Sequence, residues 1–127
     1  MREKAQAVRS FDENILLSQI GRDNVWAISG GRVGVWKPNG ECMEVELPVS
    51  SGYLVRIILA GDDTYTVERI LRRRPKGQTS RVDKVLGRME GVYCDQVGEV
   101  AYYASCYKSH PDFESLDARK YEEEVNA

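Results

Sequence analysis

Tyr53-Leu54-Val55-Arg56-Ile57-Ile58-Leu59 is the most hydrophobic run in the chain, and its reading decides the fold. It is seven residues long, with β-branched side chains through its middle. Such a run reads as a central strand covered on much of both faces. On its N-terminal side, Ser50-Ser51-Gly52 is a turn and Pro48 stops the preceding segment. That segment, Cys42 to Leu47, alternates. Cys42, Glu44 and Glu46 point one way and Met43, Val45 and Leu47 the other, as in a half-buried strand. On its C-terminal side, Gly61-Asp62-Asp63 turns the chain into a Thr- and Val-rich strand from Thr64 to Leu71. Arg72 to Gly77 is the exposed end and loop of that strand, and Val82 to Leu86 pairs back.

Further out, Val25 to Ile28 and Arg32 to Trp36 read as strand-like runs separated by Gly30-Gly31, with Pro38-Asn39-Gly40 as a turn. Phe11 to Ile20 has apolar residues at helical spacing, an acidic first turn and Gly21 at its end, so it reads as a short helix. A second, longer helix is expected from about Val92 to Tyr107. Tyr93, Val97, Val100, Ala101, Ala104 and Tyr107 form its stripe, and Gly98 lies where backbones approach closely. The expectation is an α+β fold: an antiparallel sheet of about four to six strands, an N-terminal helix, and a longer C-terminal helix packed on one face. Residues 1–10 form an N-terminal extension, 11–108 a single domain, and 109–127 an acidic tail.

The totals narrow the function. The chain has 127 residues, enough to bury a core without disulfides or metal. Net charge is −2, so binding to a polyanion must rest on a local patch. No apolar run is long enough for a membrane span, and Met1-Arg2-Glu3-Lys4 does not lead into a signal-peptide core, so a cytosolic protein is expected. Cys42, Cys94 and Cys106 match neither a disulfide framework nor a zinc pattern, and read as reduced, buried, small hydrophobes. His110 is the only histidine and reads as a solvated helix-end residue. Asp62-Asp63 reads as a turn, because no further ligands follow at calcium-loop spacing. The glycine-bearing turns match no phosphate-loop motif. No catalytic residue, metal or cofactor is expected, and the protein is read as non-enzymatic.

Two features remain. Arg69, Arg72, Arg73, Arg74, Lys76, Arg81, Lys84 and Arg88 stand against Asp83 alone, a net +7 over twenty residues. A basic β-hairpin of this kind can track a phosphate backbone, although no aromatic residue is interleaved to signal base stacking. The acidic tail, with Asp112, Glu114, Asp117, Glu122, Glu123 and Glu124, is the competing explanation, since it could screen the hairpin. Tyr102 and Tyr103 fall off the stripe of the last helix and are candidate anchors for a protein interface.

One resemblance can be quoted. Ile15-Leu16-Leu17-Ser18-Gln19-Ile20-Gly21, Ala27-Ile28-Ser29-Gly30-Gly31-Arg32, Leu47-Pro48-Val49-Ser50-Ser51-Gly52-Tyr53, Asp63-Thr64-Tyr65-Thr66-Val67, Gly91-Val92-Tyr93-Cys94-Asp95-Gln96-Val97-Gly98-Glu99-Val100-Ala101-Tyr102 and Ala104-Ser105-Cys106-Tyr107 carry it. They resemble a family of small uncharacterised proteins of actinobacterial phages of the mycobacteriophage type, with distant relatives in other phages and mobile elements. The resemblance implies expression in the cytoplasm of a bacterial host and an accessory role, and carries no activity or site residues. With no polar constellation and off-core tyrosines on a compact scaffold, the leading expectation is a non-enzymatic binding module that docks on a host or phage macromolecule, a protein first, with a role in host takeover or anti-defence. The alternatives are nucleic-acid binding through the basic hairpin and sequestration of a small phosphorylated ligand. A homo-oligomer is compatible with each.

Overall fold

The structure, a computed structural model, describes residues 10–114. Five strands form one antiparallel sheet in the simple order β1-β2-β3-β4-β5: β1 (Gly34–Trp36), β2 (Glu44–Pro48), β3 (Tyr53–Leu59), β4 (Tyr65–Arg73) and β5 (Val82–Val92). Every connection is therefore between neighbours, as tight turns after each strand dictate. The hydrophobic run that opened the reading is β3, the middle strand. Helices α1 (Glu13–Ile20), α2 (Arg22–Ser29) and α3 (Val97–Ser105) pack with one face of the sheet, and a short 3-10 turn, Pro111–Glu114, follows. The protein is an α+β fold. None of its helices is long and apolar enough to cross a membrane, among the described residues.

The main core lies between helices and sheet. Val45, Leu47, Val55, Ile57 and Val67 point into it from the strands, and Leu16, Ile20, Val97, Val100, Ala101 and Ala104 from the helices. Val97, Val100, Ala101 and Ala104 are all buried, so the expected spacing of three and four is the buried face of α3.

Four local expectations are overturned. Val25 to Ile28 is not a strand but half of α2. A run of four apolar residues does not distinguish the two periods. The deciding feature is Gly30, whose left-handed backbone lets its N–H close on the Trp26 carbonyl as a helix cap, not a strand turn. At the other end, Val92 belongs to β5, which runs six residues past Leu86 so that Met89 and Val92 can pair with Val67 and Tyr65. The last helix accordingly begins at Val97. Tyr93 and Cys94 sit in the turn before it, both exposed, so Tyr93 is outside the core stripe and Cys94 is not a buried hydrophobe. Tyr107 lies beyond the helix end. Finally, Cys42 joins the main core and not the face of Glu44 and Glu46. It precedes β2 in an isolated bridge with Phe11, which resets the alternation.

The chain stays packed beyond residue 108. Phe113 is fully buried in the main core. The competing reading of the acidic tail as a screen for the hairpin concerns mainly residues 115–127, which lie outside the described residues, as does most of the N-terminal extension.

Candidate functional site

Five of the hairpin's eight basic residues, Arg69, Arg72, Arg73, Lys84 and Arg88, lie on strands, and a strand sends alternate side chains to opposite faces; Arg74, Lys76 and Arg81 lie in the loop between β4 and β5. The register Leu71↔Lys84, Arg72↔Asp83, Arg73↔Val82 puts Arg72 on the face away from the helices and Arg73 on the helix side. A bulge between Arg69 and Ile70 shifts the pairing, with Arg69 opposite Gly87. The hairpin's charges are thereby sorted into three groups with different chemistry.

Arg69 is a core residue, 1% exposed. Its guanidinium donates to the carbonyls of Ala104 at 2.7 Å and His110 at 2.8 Å, and lies 5.1 Å from the centre of the Phe113 ring. A helix C-terminus leaves carbonyls without intrahelical donors and carries partial negative charge. Arg69 supplies the donors and the charge that the end of α3 needs.

Arg72 and Arg88 belong to an ionic layer on the face of the sheet away from the helices. Its centre is Arg56, the single charge in the hydrophobic run of β3, 2% exposed. Arg56 reaches Asp83 at 2.7 Å, Glu46 at 2.9 Å and Glu44 at 3.3 Å. Arg72 bonds Asp83 through Nε at 2.7 Å and Glu46 through Nη2 at 2.9 Å, and Arg88 bonds the fully buried Glu68 at 2.9 Å. Hydrogen bonding from Arg72, against the opposing effect of burial, holds the Asp83 carboxyl below the usual carboxylate range, with Arg56 adding to it. Burial works against the charge of Arg56, but the hydrogen bonds it donates to Glu46 and Asp83 and the field of Glu44 more than offset it, so its pKa is raised. Asp83 is thus spent on this layer and does not neutralise the loop.

Arg73, Arg74, Lys76, Arg81 and Lys84 form the third group. All five are exposed, and among the described residues none has an ion-pair partner. Arg72, Arg73, Arg74 and Arg81 line one cleft of about 420 Å³ at the hairpin's free end. The Gln78 N–H closes on the Pro75 carbonyl at 3.0 Å, turning the loop so that Arg74 and Arg81 face across it. Arg72, fixed by its two carboxylates, is one wall, and three guanidiniums without ion-pair partners among the described residues complete the cleft. Chemically, the arrangement offers planar multidentate donors in water-accessible space, which suits phosphate oxygens.

No family model, curated protein or solved structure matches the chain.

A second feature borders the cleft, and sequence reading missed it. The Ser50-Ser51-Gly52 turn presses on β4: the Arg72 N–H donates to the Gly52 carbonyl at 2.8 Å, and a Cβ on Gly52 would stand 2.7 Å from the Arg72 carbonyl oxygen. With φ at +85° as well, only glycine fits there. Tyr53, next in the chain, lies opposite Leu71 on the helix side. Tyr107 arrives from beyond α3 and stacks on it, with ring centres 3.8 Å apart and planes within 5°. The Tyr107 hydroxyl meets Ser50 Oγ at 3.2 Å, and the Lys108 ammonium stands 5.9 Å from the Tyr107 ring centre. No stretch of sequence joins these residues. The one legible signal was the glycine turn itself.

The candidate interface tyrosines part company. Tyr102 is 45% exposed. Tyr103 is half-buried, donates to Asp112 at 2.6 Å and stacks on His110 at 4.2 Å. His110 is therefore packed against a ring and not simply solvated. Asp62 accepts from both the N–H and the hydroxyl of Thr64, as a turn-forming aspartate does. Among the described residues no group of three or more His, Cys, Asp or Glu could hold a metal ion. A larger, mainly apolar groove of about 650 Å³ lies beside α1 and α2, lined by Leu17, Val25, Trp26 and Val33 with Arg22 and Asp23. It gathers no constellation of reactive groups.

Proposed function

We propose that this protein is a non-enzymatic binding module that docks on nucleic acid, holding the phosphodiester backbone at the free end of the β4–β5 hairpin. The observation that carries the reading is the cleft of four arginines, three of them without ion-pair partners among the described residues, in a molecule whose nearby carboxylate is already bound by Arg56 and Arg72. A cleft of one charge sign concentrates an oppositely charged ligand even when the net charge of the whole molecule is −2. Protein docking through Tyr102 and Tyr103 has less support. The first is a lone exposed ring and the second is engaged within the chain.

The test is a titration of a fluorescent oligonucleotide at several salt concentrations. Neutralising three to five phosphates predicts a slope of log K against log salt of about −2 to −4. Arg73→Glu with Arg74→Glu should weaken binding by about tenfold or more at low salt, while leaving the thermal transition in place. A slope near zero, or unchanged affinity in the double variant, would remove this reading.

A further inference from the structure

The stacked pair of Tyr53 and Tyr107 is the feature that the phosphate cleft does not use. In the core, an aromatic pair needs no further explanation. These two rings are only half-buried, lie outside the main core cluster, and sit at the edge of the basic surface. Tyr53 pairs with Leu71, and Arg73 is two residues further along the same face of β4, about 6.6 Å from Leu71 by strand rise. Lys84 faces Leu71 across the ladder, and Lys108 stands by the Tyr107 ring. An aromatic platform thus lies on the same face of the sheet as Arg73, which has no ion-pair partner among the described residues, with Lys84 and Lys108 nearby.

We infer that the ligand is single-stranded nucleic acid, with a base stacked on the Tyr53–Tyr107 platform while Arg73, Arg74 and Arg81 hold the neighbouring phosphates. This rests on the proposed phosphate site and specifies its substrate. A duplex keeps its bases stacked on each other and offers the platform nothing. A single strand presents a π-face at every nucleotide, and stacking on an aromatic ring is tolerant of sequence. The platform is also pre-ordered: Tyr107 is fixed by its hydroxyl on Ser50 and by the ring beneath it, so little freedom is lost when a base arrives.

The experiment compares three probes of equal length, about 12 nucleotides, within the span of small single-strand-binding domains: oligothymidylate, the same backbone with abasic sites, and a duplex. Anisotropy is read with the wild-type protein, Tyr107→Leu, Tyr107→Phe, and the Arg73→Glu/Arg74→Glu double variant. A stacked base predicts that wild type binds oligothymidylate at least about fivefold more tightly than the abasic strand. Tyr107→Leu should erase that preference, Tyr107→Phe should keep it, and the arginine variant should weaken both strands together. Equal affinity of wild type for the thymidylate and abasic strands would overturn the stacking inference and leave the phosphate reading standing. A preference for the duplex would do the same. Failure to bind any probe would overturn both. The abasic comparison uses the unaltered protein, so it decides even if Tyr107→Leu does not fold.

Discussion

Gly98 is the second residue of α3, where an alanine would by helix propensity alone stabilise by up to about 1 kcal/mol. The structure predicts the opposite. A Cβ built on Gly98 would lie 2.3 Å from the Ile20 carbonyl oxygen and 2.9 Å from Asn24 Nδ2, whereas ordinary contact begins near 3.4 Å. Relief requires α3 and the end of α1 to part by about 1 Å, which forfeits a sizeable part of the dispersion contact along that interface. The interface is the one that seats Ile20 and Val97, each at most 2% exposed. Overpacking of this kind costs about 1–3 kcal/mol, and a clash with backbone belongs toward the upper end. The hydrogen bond from Asn24 Nδ2 to the Ile20 carbonyl, 2.9 Å long, is displaced at a further cost of about 1 kcal/mol. That roughly offsets the gain in helix propensity. Gly98→Ala should therefore destabilise by about 1–3 kcal/mol, lowering Tm by about 5–15 °C for a domain of this size. The assay is urea unfolding with thermal melting as a check, and the urea midpoint should fall with the slope unchanged. A variant as stable as the parent, or about 1 kcal/mol more stable as propensity alone predicts, would refute the close helix–helix approach.

Three further outcomes test the sorting of the hairpin's charges and the ionic layer. Arg69→Met should destabilise by about 3 kcal/mol or more, because it strips donors from buried carbonyls, whereas Arg74→Met should stay within about 0.5 kcal/mol of the parent; similar urea midpoints for the two variants would contradict the assignment of Arg69 to the core. Arg56→Met should cost about 3–5 kcal/mol, since it leaves the carboxylates around it without their central cation, and circular dichroism melts of the variant would show a parent-like Tm if the layer were dispensable. Stability should also fall in acid. The folded-state pKa of Asp83 is depressed, so its contribution is present above its unfolded value near 3.8 and is lost as pH falls through the lower folded value. Urea midpoints followed from neutral pH into that range should drop less steeply for Asp83→Asn than for the parent, and parallel curves would show that Asp83 is not the group responsible.

Much of the architecture was present in local sequence. The β-branched run of residues 53–59 could only be the middle of a sheet, and turns after each strand left room for nothing but a meander. The period of α3 could be read at Val97, Val100, Ala101 and Ala104, because a helix against a sheet must bury one stripe. Where a local pattern had two solutions, a flanking cap or a distant partner chose. Val25 to Ile28 fits either period and became helix because Gly30 could cap it. Val92 could start a helix or end a strand and went to the strand that gave it a partner, Tyr65.

The sequence also determined that a basic segment exists, since composition alone concentrates eight cations between Arg69 and Arg88. Which of those cations are free was decided only by the fold. Burial of a charge is tolerated where donors or opposite charges converge from distant segments, and such convergence leaves no mark on a linear pattern. Arg69 is consumed by the carbonyls at the end of α3, and Arg72 and Arg88 by carboxylates on β2, β4 and β5. The same holds for the aromatic platform. The basic segment from Arg69 to Arg88 contains no aromatic residue, yet β3 and the segment after α3 bring Tyr53 and Tyr107 face to face beside it, across 54 residues of chain. Periodicity reports which side of an element is buried, but only three-dimensional packing brings side chains from separate elements to one place, and a binding site is made of such meetings.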